Sequence, residues 1–80
     1  MDIDLARHMI RAAFRNARDL GDLLQLLKEQ LGPEEYKDIA LGIAEAIDTI
    51  GVALTNKALL AHPELNIEIE VDLKKYGRFL

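Results

Sequence analysis

Eighty residues make one domain close to the lower size at which a single core is self-sufficient, so 1–80 reads as one unit. Half the residues are hydrophobic with two Phe, two Tyr and no Trp, so Ile, Leu, Val and Ala must build the core. A net charge of −4 with 30% charged residues suits a soluble globular chain, and the absence of cysteine excludes disulfides, thiolate metal sites and cysteine nucleophiles.

The start of the chain, Met1-Asp2-Ile3-Asp4, is acidic and shows no basic segment leading into an apolar run, which gives no sign of a secretory signal. Together with the lack of cysteine this sets a cytoplasmic expectation. Ile3, Ala6, Ile10, Ala13, Ala17, Leu20, Leu24, Leu27 and Leu31 then recur at alternating spacings of three and four. Only a helix gathers them, so a first helix is expected over about 3–31, capped by Asp2 or Asp4. Gly21 falls inside it without shifting the apolar phase. Its expected role is to let another backbone approach.

Gly32-Pro33-Glu34-Glu35 is a stop-and-restart signal: glycine past a helix end, then proline and two acids in the next first turn. So short a connection sends the second helix, about 33–62, back antiparallel to the first. That helix carries two interleaved apolar seams. One holds Tyr36, Ala40, Ile43, Ile47, Ile50, Leu54 and Ala61; the other adds Ile39, Ala46, Ala53 and Leu60. Glu45, Asp48, Thr55 and Asn56 leave only a narrow polar strip. Glu45 and Asp48 also make a poor membrane span of the most apolar stretch.

Pro63 ends the helix, and 64–80 forms a tail. Within it, Asn66 to Lys74 alternates polar and apolar residues without error, with Ile67, Ile69, Val71 and Leu73 on one side. Period two predicts a short β-strand. An extended tail packed over the helices is the alternative. The last residues, Tyr76 and Phe79 among them, read either as a docking peptide with aromatic anchors or as a frayed end.

The expected fold class is therefore mainly all-α: an antiparallel two-helix hairpin that dimerises into a four-helix bundle, with a C-terminal strand or tail. Dimerisation follows from surplus. One helix shows its partner one stripe, which leaves a flank of the second helix bare, and each large aliphatic left in water forfeits about 1.5–3 kcal/mol. Ile39, Ile43, Ile47, Ile50, Leu54, Ile67, Ile69, Val71 and Leu73 are the expected interface of a homodimer or a dimer of dimers. A lone strand also needs a partner, either its own copy or a sheet edge on another protein.

Chemistry-bearing residues are few. Arg7, Arg11, Arg15 and Arg18, with His8, form a row on the first helix. It reads as a site for a small anionic or nucleotide ligand or an acidic partner, or as a solvated face in which Arg15 or Arg18 pairs with Asp48. Charge is unevenly laid out. Residues 1–18 sum to +2, residues 19–50 to −6 and residues 51–80 to zero. A nucleic-acid binder carries a net basic surface with interleaved aromatics, and this chain has neither. His8 and His62 have no metal-ligand spacing, and Glu45 with Asp48 lacks the histidine of a di-metal helix pair. No catalytic residue, metal or cofactor is expected, and the chain reads as a non-enzyme. The function expected from build is a homo-oligomeric protein-interaction module: an adaptor, inhibitor or regulatory subunit. An antitoxin or immunity role is the further alternative on the same build.

Overall fold

The computed structural model describes residues 1–80 and is mainly helical, with no strand. Helix α1 spans Ile3–Gln30. The Asp2 carboxylate caps it, accepting from the Leu5 N–H at 2.8 Å, and Asp4 adds negative charge to the first turn. Leu31 closes the helix, its N–H donating to the Leu27 carbonyl at 2.9 Å. Pro33 then opens α2, Pro33–Ile50, with Glu34 and Glu35 in its first turn.

Ile50 does not end the rod. A π-helical segment, Gly51–Asn56, carries it directly into α3, Lys57–Ala61. The wider i→i+5 turn advances the apolar phase by about one residue. As a result Ala58, which belongs to neither seam expected from the sequence, is fully buried, and Thr55 is half-buried on the side of α1. The rod returns alongside α1: Ala6 and Ile10 share a cluster with Ala58, while Ala13, Phe14 and Ala17 lie against Ile47, Ile50 and Thr55.

The segment expected as a β-strand is a helix. After a turn at His62-Pro63, α4 runs Leu65–Tyr76. A strand here has no second strand to complete its ladder, whereas a helix pairs its backbone within itself. The ends favour helix as well. Pro63 starts the first turn, Lys74 and Lys75 face the C-terminal dipole, and Gly77 closes it at φ 72, its N–H donating to the Leu73 carbonyl at 3.0 Å. The alternating pattern is consequently split. Ile69 is buried with Leu65, while Ile67, Val71 and Leu73 remain 68%, 52% and 45% exposed.

The expectation for the tail is corrected too. Gly77 turns the chain back, and Phe79 is 8% exposed within the core cluster of Ala6, Ile10, Ala58, Leu65 and Ile69. Its ring meets Phe14 edge-on, centroids 6.2 Å apart, and the Leu80 N–H donates to Asp72 Oδ2 at 3.1 Å. Phe79 is therefore an internal anchor. Tyr76 stays 51% exposed.

Burial is confined to one end of the molecule. Ala6, Ile10, Ala13, Ala58, Leu65, Ile69 and Phe79 are the buried residues, and none lies between Phe14 and Lys57. Along that span the facing seams, Ala17, Leu20, Leu24 and Leu27 against Tyr36, Ala40, Ile43, Ile47 and Ile50, are only half-buried. No neighbouring atom lies within 4 Å of a Cβ placed on Gly21, so no backbone of this chain uses the room it leaves. The particle is a slab of 45 × 26 × 14 Å. Its radius of gyration is 14.7 Å, against about 11.6 Å for a compact domain of this length.

Candidate functional site

The arginine row divides in the folded chain. Arg7 faces α4, where its Nε and Nη2 donate to the two carboxylate oxygens of Glu68 at 2.8 and 2.7 Å. Its Nη1 donates to Asp4 at 2.8 Å. This two-pronged pairing holds the Glu68 carboxyl below the usual carboxylate range and the Arg7 guanidinium above its own. Arg7 is thus a clamp between α1 and α4. It does not belong with the other arginines.

Those others lie along one stripe of α1 at Arg11, Arg15 and Arg18, with Phe14 between them. The returning tail adds Arg78. Together with Phe79 and Leu80 they line a cleft of about 310 Å³. The Arg11 guanidinium sits over the Phe79 ring, 5.3 Å from its centroid, a cation–π contact. Its Nε is buried with no hydrogen-bond partner. None of these four arginines forms an ion pair, and no acidic side chain lines the cleft. Asp48 in particular does not pair with Arg15 or Arg18.

The sequence gives no direct sign of Arg78 or Phe14 in this group. Gly77 was the available signal, because a left-handed C-cap turns the residues after it back over their own helix. On the far side of the stacked Arg11 and Phe79, Ile67, Val71 and Asp72 join Arg7 and Glu68 around a second cleft of about 380 Å³.

His8 is exposed. His62 ties the chain's start to the turn before α4: Nε2 lies 2.8 Å from the Met1 carbonyl oxygen and Nδ1 lies 3.0 Å from Glu64 Oε1. A protonated ring donates to both. The Met1 carbonyl first and the Glu64 carboxylate second raise its pKa, while Glu64 is lowered by its own backbone N–H and by His62. No group of three or more His, Asp or Glu side chains converges as a metal site would require.

The expected interface residues are distributed unevenly. Ile43, Ile47, Ile50 and Leu54 are half-buried, Ile47 and Ile50 beside Ala13, Phe14 and Ala17 of α1, and Ile39 is 39% exposed. Ile69 is withdrawn into the core. Ile39, Ala46, Ala53 and Leu60 are all exposed, Leu60 at 81%, and the π segment turns Leu60 off the line of Ile39 and Ala46. No helix is long and apolar enough to cross a membrane. No family model, curated protein or solved structure matches the chain.

Proposed function

We propose that this chain is a non-enzymatic protein-interaction module that works as a homodimer, two hairpins stacking into a four-helix bundle. The carrying observation is the absence of any buried residue from Phe14 to Lys57 despite an unbroken apolar seam. Two layers of secondary structure normally enclose a core, and over this span the chain supplies one. The surface area supports the same reading. A compact monomer of 9.0 kDa exposes about 4,850 Å². This one exposes 5704 Å². The excess, taken from two copies, is about 1,700 Å², the size of a standard stable interface.

The exposed Ile39, Ala46, Ala53 and Leu60 suggest the register. A two-fold axis near Thr49 sets Ile39 and Ala46 of one copy against the Ala53 and Leu60 side of the other, small residues at the crossing and Leu60, turned aside by the π segment, at the edge of the contact. The exposed aliphatics of α4, Ile67 and Val71, then remain for a protein partner. That is the placement expected of an adaptor, inhibitor or regulatory subunit.

The chain has no native cysteine, so crosslinking is clean. Thr49→Cys should form a disulfide-linked dimer under mild oxidation, while Lys37→Cys, on another face of α2, should not. Light scattering on the unmodified chain should give twice the 9.0 kDa chain mass. A monomer at millimolar concentration rejects the dimer.

A further inference from the structure

We propose that the cleft lined by Arg11, Arg15, Arg18 and Arg78 binds an oligophosphate ester, the guanidiniums gripping phosphoryl oxygens and Phe14 and Phe79 meeting the apolar part of the ligand. This stands independently of the dimer.

The contrast with Arg7 carries the inference. One turn before Arg11 on the same helix, Arg7 has two carboxylates within 2.8 Å. The chain has fourteen acidic residues against ten basic ones, yet no acidic side chain lines the cleft where four guanidiniums gather, and Leu80 alone brings a main-chain carboxylate to it. Asp19 and Asp22 lie four residues beyond Arg15 and Arg18, a spacing that permits helix pairing, and neither pair forms an ion pair. Four like charges crowded on a net acidic protein repel one another, and an anion between them removes that repulsion.

Arg11 adds a second observation. Its Nε is buried and unbonded, while its guanidinium lies over the Phe79 ring, 5.3 Å from the centroid. A buried polar group without a partner is rare enough to need a reason. A phosphoryl oxygen in the cleft would give the Arg11 guanidinium an acceptor that the folded chain does not provide.

Dimensions narrow the ligand. From Arg11 to Arg18 the helix rises about 10 Å, too long for one phosphate and suited to two or three in a chain. A volume of about 310 Å³ is that of a small-molecule site. Arginine forks match phosphoryl oxygens two at a time, which a single lysine point charge does not. The two phenylalanines, edge-on to each other at 6.2 Å, give an apolar wall for a base or other ring.

The test is calorimetric titration of the full chain at physiological salt with three probes: tripolyphosphate, ADP and adenosine. Tripolyphosphate and ADP should bind and adenosine should not. Phe14→Ala should weaken ADP more than tripolyphosphate, which separates an ester from inorganic phosphate. Arg15→Gln and Arg78→Gln, both at exposed positions, should each cost roughly tenfold or more in affinity for either anion, with helicity by circular dichroism unchanged. Amide and guanidinium NMR shifts should move at Arg11, Arg15, Arg18 and Arg78. Absence of binding at millimolar probe overturns the proposal. So does binding that the Arg15→Gln/Arg78→Gln double variant leaves intact, or shifts mapping elsewhere. Equal loss of both anions in Phe14→Ala overturns the ester in favour of inorganic polyphosphate.

Discussion

Truncating the exposed aliphatics Ile39 and Leu60 one at a time separates a dimer interface from an ordinary wet surface. Leu60 is 81% exposed and Ile39 is 39% exposed, so Leu60→Ala removes almost nothing from the isolated chain and Ile39→Ala removes part of a half-made contact. Alanine is also the best helix former, so neither change weakens the rod. Full burial of a large aliphatic is worth about 1.5–3 kcal/mol. Covering the exposed four-fifths of Leu60 is then worth about 1.2–2.4 kcal/mol per copy, and covering the exposed part of Ile39 about 0.6–1.2 kcal/mol. A two-fold axis counts each change twice. At about 1.4 kcal/mol per decade, Leu60→Ala should raise the dimer Kd by roughly two to three decades and Ile39→Ala by roughly one to two. Sedimentation equilibrium over a wide concentration range reads both, with thermal melting of the dilute monomer as the reference. A Leu60→Ala dimer as tight as the unaltered one refutes the register. If both variants melt lower but associate unchanged, these side chains pack within the chain and the dimer is rejected.

Three further outcomes rest on local geometry. Gly77→Ala places a side chain at φ 72 and should cost about 1–2 kcal/mol of stability in urea unfolding; an unchanged midpoint would mean that the α4 C-cap does not hold the tail. Because Arg7 depresses the Glu68 carboxyl from 4.5, its contribution is present above that unfolded value and fades as pH falls through the lower folded one. The stability gap between the unaltered chain and Glu68→Gln should accordingly shrink on acidification, and a gap independent of pH would remove the clamp. His62 is shifted the other way, upward from 6.5, so its tie to Met1 and Glu64 is complete below that value and weakens as pH rises through the folded pKa. Imidazole NMR signals should place the His62 midpoint above 6.5, and a midpoint at or below it would contradict the two hydrogen bonds.

The long helices were legible because their signals are redundant. The seam from Ile3 to Leu31, the Asp2 cap and Gly32-Pro33-Glu34-Glu35 all point the same way. Ala58 was not, because nothing in the residues announces a π turn, and one extra residue per turn is enough to move burial off the expected stripe. Residues 66–74 failed differently. Their strict alternation is a true strand pattern, but a strand needs a ladder and this chain offers none, whereas Pro63 and Gly77 supply both ends of a helix. The same glycine folds Arg78 and Phe79 back onto α1, so the arginine group was half visible. The row on α1 was in plain sight, but only tertiary contact assigns Arg7 to Glu68 and Arg78 to the others.

The position of Phe79 has a consequence for biosynthesis. Ile10 lies near the start of the chain, yet the residues that bury it, Ala58, Leu65, Ile69 and Phe79, come from its final third. A nascent chain on the ribosome can wind α1 and α2, but it holds an open apolar stripe until the last of those residues emerges. Contacts so distant along the chain close slowly and late.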